Sequence, residues 1–280
     1  MITGSCLCGG ATWQCEALAV AHDCHCSRCR KAHGAPFVSW AFAEGFAWRD
    51  GEDRIARHES APGFFRAFCS TCGSSLPAVD PEGRTIVPLG VVDGDPGTPN
   101  QLHVHAASVP PWRAITDDAP RFDELPPGME GPQIPAAAID PETAEGARGS
   151  CLCGAVRWRL TAVPTLARYC HCSRCRKARA AACTANCFLP VAALRFTAGE
   201  DRSRDYPVPG ARFFHHTFCT TCGGGTPRVD RARGIAVVPL GSMDDDPGTR
   251  PTEHIFVGSK APWYEITDDL PQHDGRPPGL

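Results

Sequence analysis

The sequence contains one cysteine-dense octapeptide, Cys-His-Cys-Ser-Arg-Cys-Arg-Lys, at two places without a single change. The first copy occupies residues 24–31 and the second occupies residues 170–177. Three thiols within six residues reach one centre only when the backbone turns tightly around it, and the usual centre is a thiophilic metal ion. The two copies therefore predict two cysteine-rich metal sites around which the rest of the chain must fold.

The octapeptides belong to a longer internal repeat. Matching segments follow one another in the same order in both halves, and their offset grows only from 145 to 151 positions. The matched segments are 6–9 with 151–154, 68–73 with 218–223, 87–90 with 238–241, 95–98 with 246–249, His103 with His254, and 111–118 with 262–269. Such a repeat indicates a tandem duplication of a domain of about 120 to 130 residues.

The repeat predicts two domains and a linker. We place the first domain at 1–125 and the second at 148–280. The segment 126–147 between them is rich in Pro and Ala and has no apolar periodicity, which is typical of an extended linker.

The composition indicates a globular protein built from short strands. Charged residues make up 21% and hydrophobic residues 42% of the chain, and its 28 glycines and 27 prolines favour turns over long helices. Val156, Trp158 and Leu160 alternate with arginines, which is the period of a half-buried strand. The residues after each octapeptide are compatible with a helical turn. We therefore predict a mainly β fold with the cysteine pairs on turns between strands.

Seventeen cysteines favour metal or redox chemistry over disulfides in the cytosol, because that compartment keeps thiols reduced. The sequence shows no apolar run of membrane-spanning length and no signal-peptide pattern, so we expect a cytoplasmic location and no membrane partner. The formal net charge of −3 becomes more negative when metal-bound thiols lose their protons. A nucleic-acid partner is not expected, since such proteins need a basic surface. The oligomeric state stays open.

Two cysteine pairs in each domain predict a closed metal site. Each copy has a Cys-x-Cys-Gly near its start and, later, a Cys-x-x-Cys-Gly knuckle, in which the glycine lets backbone amides turn toward the sulfurs. The predicted ligand sets are Cys6, Cys8, Cys69 and Cys72 in the first domain, and Cys151, Cys153, Cys219 and Cys222 in the second. A closed site has no place for substrate, so we assign these cysteines to zinc ions that staple the domains.

The octapeptide adds three further thiols per domain, which are Cys24, Cys26 and Cys29, and Cys170, Cys172 and Cys175. Three protein ligands with a vacant fourth position are typical of a catalytic zinc ion. Three thiolates make such an ion a weak Lewis acid toward water and a better holder of sulfur. We therefore predict zinc as the cofactor, at about two ions per domain and four per chain.

Other side chains of the octapeptide have two interpretations. His25 and His171 lie between two ligands, where a ring nitrogen is a candidate fourth ligand, or they point elsewhere. The neighbouring cations are ordinary surface charges, or they lower thiol pKa values and bind a ligand carboxylate. These cations are Arg28, Arg30 and Lys31 in the first copy and Arg174, Arg176 and Lys177 in the second. Three cysteines without a counterpart in the repeat are expected to be buried small apolar residues, namely Cys15, Cys183 and Cys187.

Each copy has the three cysteine motifs in the same order, then a segment like 254–263, and then an aspartate pair, which is Asp117 and Asp118 or Asp268 and Asp269. This order resembles the glutathione-dependent formaldehyde-activating enzyme family, also called the centromere protein V family. The resemblance covers nearly all of both domains. It implies an Mss4-like fold with one four-cysteine and one three-cysteine zinc per domain. It also implies a carbon–sulfur lyase activity that interconverts glutathione plus formaldehyde and S-hydroxymethylglutathione, with the octapeptide cysteines holding the reactive zinc.

The chain departs from the family pattern in being a tandem and in carrying Val109 where the second copy has Lys260. If Lys260 helps to bind an anionic ligand, the first copy is weakened. We predict a zinc-dependent lyase acting on adducts of a small thiol such as glutathione and a small carbonyl compound such as formaldehyde. In this hypothesis the residues that bind ligand carboxylates are Arg30, Lys31, Arg176, Lys177 and Lys260. The alternatives are a non-catalytic zinc-stapled scaffold and, third, redox sensing through Cys183 and Cys187.

Overall fold

A computed structural model of the protein describes residues 1–129, 131 and 146–277. Most of the predicted linker at 126–147 lies outside these residues, so the domain boundaries stay predictions. Strands make up 39% of the residues and helices 13%, and the structure has two similar halves. The predicted mainly β fold is therefore confirmed. Among the described helices, none is both long and apolar enough to cross a membrane.

In the described residues, each half contains eleven strands and one α-helix. Those of the first half are β1 (Ile2–Ser5), β2 (Thr12–Cys15), β3 (Ala17–Cys24), α1 (Ser27–His33), β4 (Val38–Glu44), β5 (Ala47–Asp50), β6 (Ile55–Ala61), β7 (Phe64–Cys69), β8 (Ser75–Leu76), β9 (Ala78–Val79), β10 (Thr85–Pro88) and β11 (Leu102–Val104). Those of the second half are β12 (Ala147–Ser150), β13 (Arg157–Leu160), β14 (Leu166–Cys170), α2 (Ser173–Arg179), β15 (Thr184–Pro190), β16 (Leu194–Ala198), β17 (Ser203–Pro207), β18 (His215–Cys219), β19 (Arg228–Asp230), β20 (Ile235–Pro239), β21 (His254–Ile255) and β22 (Gln272–His273).

The strands of each half form three sheets with corresponding orders. In the first half the orders are β1-β2-β5, β11-β3-β4-β10-β9 and β6-β7-β8. In the second half they are β12-β13-β16, β19-β20-β15-β14-β21-β22 and β17-β18. Trp158 and Leu160 of β13 are buried while Arg157 is exposed, as the alternation predicts.

Each octapeptide lies where a central strand ends and the helix begins. β3 ends at Cys24, and the sulfur of Cys26 accepts a hydrogen bond of 3.3 Å from the backbone N–H of Cys29 at the start of α1. Cys172 caps α2 in the same way. A side-chain acceptor at this position satisfies a free N–H of the first helical turn. The local hydrogen bonding therefore turns the chain back on itself and brings the thiols together.

The two halves pack against each other with contacts that come in matched pairs. The lysine of each helix donates to a serine hydroxyl and pairs with an aspartate of the other half. The sets are Lys31 with Ser150 and Asp244, and Lys177 with Ser5 and Asp93. The matching positions show that the halves are related by an approximate two-fold axis.

The backbones of the two halves approach closely at two glycines. A Cβ atom at Gly90 would lie 2.0 Å from the backbone nitrogen of Ala181, and one at Gly241 would lie 2.2 Å from the carbonyl oxygen of Ala35. Real Cβ contacts are never this short, so only glycine lets the two backbones meet here.

We expect Gly90→Ala to lower the free energy of unfolding by about 1–3 kcal/mol, because the clashing atoms are backbone atoms that shift only with their strands and helices. Gly275→Ala is the matched control, since nothing lies within 4 Å of a Cβ atom there. The measurement is urea unfolding followed by circular dichroism. Equal unfolding midpoints for the two variants would contradict the close packing of the halves.

Candidate metal centres

In each half, four cysteine sulfurs converge between the turn after the first strand and the knuckle that follows a long hairpin. We refer to these two sets as the closed groups. Within each closed group the sulfur atoms all lie within 4.8 Å of one another. The sets are Cys6, Cys8, Cys69 and Cys72, and Cys151, Cys153, Cys219 and Cys222.

The spacing of the sulfurs fits zinc. The Cys8 sulfur lies 3.4 Å from that of Cys6 and 3.8 Å from that of Cys69. The equivalent distances in the second half are 3.6 Å and 3.9 Å. Zinc–sulfur bonds of about 2.3 Å in a tetrahedron place the sulfurs about 3.8 Å apart. The donor set and its geometry therefore match a structural zinc site in both halves.

The octapeptide thiols form two further sets, which we name the first three-thiol group (Cys24, Cys26 and Cys29) and the second three-thiol group (Cys170, Cys172 and Cys175). The sulfurs of Cys24 and Cys26 lie 3.5 Å apart, again close to the edge of a zinc tetrahedron. In the described part of the chain, no further Cys, His, Asp or Glu atom joins either group. Both groups therefore offer three ligands and one free coordination position.

His25 and His171 turn away from the thiols. The Nε2 atom of His25 lies 3.0 Å from Nδ1 of His103, whose Nε2 lies 2.8 Å from the carboxylate of Asp117. The second half repeats this His-His-Asp relay with distances of 2.8 Å and 2.9 Å. Of the two interpretations of these histidines, the structure shows the one in which they point elsewhere.

The aspartate sets the direction of the relay. A carboxylate only accepts, so Nε2 of His103 donates to Asp117, and in the neutral form of the His103 ring its Nδ1 accepts from Nε2–H of His25. Burial lowers the pKa of His25 well below its usual range, so its ring is neutral. This leaves Nδ1 of His25 without a proton, and in the described residues this buried atom has no partner. The relay thus anchors the loop between Cys24 and Cys26.

One arginine distinguishes the two three-thiol groups. Arg66 of β7 is 8% exposed and donates from its NH2 group to the sulfur of Cys29 at 3.4 Å. Its guanidinium lies 5.8 Å and 5.5 Å from the ring centres of Trp40 and Phe64, within range of cation–π attraction. The matching residue of the second half, His216, bonds instead to the backbone carbonyl of Cys72 at 2.7 Å.

One cysteine in each three-thiol group has a thiol pKa below its usual range. Hydrogen bonds from Cys24 and Cys26, and the charge of Arg66, hold the pKa of Cys29 well below its usual range. In the second half, hydrogen bonds from neighbouring thiols, that of Cys170 first, lower the pKa of Cys172 to about 3. In the first group, the buried guanidinium of Arg66 is one of the groups that favour the thiolate form of Cys29.

A cavity of about 90 Å³ lies against the first three-thiol group, and all three of its cysteines line this cavity. Trp40, Phe42 and Phe64 give it a largely apolar surface, and its charged lining residues are Arg66, Asp80, Glu82 and Arg84. Such a cavity suits a small ligand that brings its polar atoms to the thiols.

The five cations predicted to bind ligand carboxylates do not line the cavity at the first three-thiol group. Arg30 is 1% exposed and donates to the carbonyl of His25, and Arg176 donates to the carbonyl of Val92 at 3.1 Å. Lys31 and Lys177 bond across the interface, and Lys260 bonds to the carbonyls of Ala261 and Tyr264. Arg30 and Lys31 also line a separate groove of about 730 Å³. Their ligand-binding role stays a prediction.

All 17 cysteines are free thiols, and the three outside the ligand groups, Cys15, Cys183 and Cys187, are buried as predicted. Burial raises the pKa of Cys183 and of Cys187 to about 12. A protonated thiol reacts slowly with oxidants, which disfavours redox sensing through these two residues.

A family model described as glutathione-dependent formaldehyde-activating enzyme matches residues 1–108 and 146–259. The chain belongs to this family. The two matched segments correspond to the two similar halves, so this formaldehyde-activating family protein carries the family domain twice. A crystal structure of a Rhodobacter sphaeroides protein is 27% identical to it, covers 37% of this chain and 97% of that chain, and has a TM-score of 0.29. No curated protein matches the chain.

Proposed function

We propose that the protein is a zinc-dependent enzyme of the carbon–sulfur lyase type, acting on adducts of a small thiol such as glutathione and a small aldehyde such as formaldehyde. The observation that supports this most is the first three-thiol group, which has three converging sulfurs and a cavity against them. Membership of the family supports the choice of thiol and aldehyde. The proposal includes the Mss4-like fold of each half and a cytosolic location that keeps the thiols reduced.

The reaction needs no oxidant. The S–H bond of the thiol breaks, a carbon–sulfur bond forms, and the carbonyl oxygen gains the proton to become a hydroxyl. Cys24, Cys26 and Cys29 would hold a zinc ion, which would supply a positive centre that favours the thiolate form of the substrate thiol. The remaining requirements are orientation of the aldehyde and exclusion of bulk water.

The residues of the chain meet these requirements in the first half. Trp40, Phe42 and Phe64 form an apolar wall that leaves room for little water beside the thiols. Arg66 lies against Cys29 and offsets the negative charge of the cluster. The His25 relay anchors the loop that carries Cys24 and Cys26. These groups hold the three sulfurs in a preorganised arrangement.

The scaffold alternative is favoured by one observation. Lys31 and Lys177, which the catalytic hypothesis assigns to a ligand, bond across the interface between the halves. In that role the octapeptide joins the halves and its thiols complete a second structural zinc site.

Native mass spectrometry and an isotope assay separate the two functions. We expect four zinc ions per chain, retention of glutathione, and acceleration of the exchange between ¹³C-formaldehyde and S-hydroxymethylglutathione measured by NMR. S-methylglutathione, which has no free thiol, is the matched control and should not be retained. Fewer than three zinc ions would remove at least one open site, and four zinc ions with no effect on exchange would favour the scaffold.

A further inference from the structure

A second cavity, of about 150 Å³, lies between the two halves, and we name it the central cavity. Side chains of both halves line it, including Phe37, Arg113, Tyr169, Cys183 and Tyr264. None of the described metal-ligand cysteines is among the lining residues. The central cavity is therefore a feature of the duplicated chain that is separate from the thiol groups.

The two halves place different residues around the central cavity. Where the repeat matches position for position, three of the lining positions carry different chemistry in the two halves. The pairs are Asp23 and Tyr169, Phe37 and Cys183, and Arg113 and Tyr264. The shared fold needs none of these differences, since both halves form a corresponding central sheet and the same relay with either set. The differences therefore point to a role of the cavity itself.

Arg113 is the most unusual of these residues. Its guanidinium stacks on Phe37, with its carbon 3.9 Å from the ring centre. In the described residues this guanidinium has no hydrogen-bond acceptor and no ion-pair partner, and its NH1 atom is buried. A buried N–H group without an acceptor is costly, because the contact of the guanidinium with the Phe37 ring does not replace the hydrogen bond that NH1 makes to water in the unfolded chain. The described chain supplies no oxygen acceptor for NH1 of Arg113, so a ligand oxygen would fill this role.

The nearby carboxylates are occupied by other donors. Asp117 and Asp268 line the central cavity, and each accepts from the histidine of its relay and from a backbone N–H two residues later. Asp23 accepts from the hydroxyl of Ser39 at 2.5 Å. In the part of the chain that the structure describes, none of the three comes within ion-pairing distance of Arg113.

Two tyrosines, Tyr169 and Tyr264, also line the central cavity. The ring of Tyr169 stacks on His254 with centroids 4.9 Å apart, and that of Tyr264 stacks on His171 at 5.8 Å. This stacking fixes both rings, yet in the described residues neither hydroxyl has a hydrogen-bond partner. The central cavity therefore presents one guanidinium and two phenol hydroxyls in fixed positions.

We propose that the central cavity binds a small carboxylate, whose oxygens pair with Arg113 while the hydroxyls of Tyr169 and Tyr264 bond to the carboxylate or to a polar substituent beside it. Planar guanidinium and carboxylate groups match in shape and charge. The volume holds on the order of five water-sized groups, which suits a molecule the size of glycolate and excludes glutathione. This site lies beyond the proposed thiol chemistry and does not depend on it.

Isothermal titration calorimetry of the full chain with glycolate, in a buffer without carboxylates, tests the proposal. We expect saturable binding of glycolate and weaker binding of acetate, which lacks the hydroxyl. Ethylene glycol, of similar size but without a carboxylate, should not bind. Arg113→Tyr places the residue of the second half at the matching position and should weaken glycolate binding at least tenfold.

Two further variants make the result decisive. Arg212→Ala removes a cation that stacks on Phe213 and does not line the cavity, so it changes the net charge equally and should bind glycolate like the parent. Tyr264→Phe removes only a hydroxyl and should weaken binding about threefold, and it carries the test if Arg113→Tyr fails to fold. Absence of glycolate binding to the parent, or unchanged affinity in the folded Arg113 and Tyr264 variants, would overturn the proposal.

Discussion

Cys6→Ser is expected to release one zinc ion and to unfold the first half of the protein. Cys6 follows β1, and its closed group joins this strand to the end of β7, where Cys69 lies. Structural zinc sites contribute about 10–16 kcal/mol in small zinc domains, whereas a whole domain is stable by only about 5–15 kcal/mol. If the loss of one ligand releases the zinc ion, the lost binding free energy is comparable to the free energy of unfolding of the whole domain.

The effect should reach the second half as well. The knuckle that carries Cys69 also forms part of the interface, since Nδ1 of His216 bonds to the carbonyl of Cys72 at 2.7 Å. Phe68 and Phe218 pack edge to face across the same boundary, with ring centres 6.4 Å apart. When the knuckle loosens, these contacts are lost, so we expect unfolding of the second half to begin at a lower urea concentration.

Cys15→Ala is the matched control for Cys6→Ser. Cys15 is as buried as Cys6, at 1% exposure, but belongs to neither thiol group of its half. Its truncation removes one buried sulfur, and we expect a loss of about 1 kcal/mol with no loss of zinc. Zinc analysis by plasma mass spectrometry and urea unfolding measure both effects. The closed-site assignment would be wrong if Cys6→Ser kept its zinc and unfolded like Cys15→Ala.

Local sequence carries enough information to find the thiol groups but not their surroundings. The ligands Cys24, Cys26 and Cys29 lie within six residues, so their convergence follows from one turn of the backbone. Arg66 reaches Cys29 from 37 positions away, and nothing in its neighbourhood marks it as different from other arginines. The only available signal is that the matching position of the repeat holds His216.

The roles of the cations show why sequence alone reaches a limit. A lysine beside three thiols is equally compatible with a ligand carboxylate and with an aspartate of the chain. Lys31 finds Asp244, which lies 213 positions away in the other half. The relay is a similar case, since His25 meets His103 across 78 positions. The repeat identifies matched pairs of such residues, but only the packing of the halves shows which pairs touch.

Cys26→Ser and Cys172→Ser form a matched pair that tests which half carries the proposed activity. Each cysteine caps the helix that follows it, and serine is a good N-cap residue, so both helices should keep their first turn. Each variant is expected to lose one zinc ion while the closed groups keep theirs. The two variants should therefore be folded to a similar extent and differ only in the group that is disabled.

We expect Cys26→Ser to lower the rate of formaldehyde exchange at least 100-fold and Cys172→Ser to lower it less than threefold. The reason is the asymmetry around the thiols: the first group has Arg66 against Cys29 and an apolar cavity lined by all three cysteines. The absence of a lysine at Val109 does not weaken this expectation, because its counterpart Lys260 bonds to backbone carbonyls. A larger decrease of the exchange rate in Cys172→Ser than in Cys26→Ser would place the activity in the second half. Equal decreases in the two variants would mean that the guanidinium beside Cys29 does not make the first three-thiol group more active than the second.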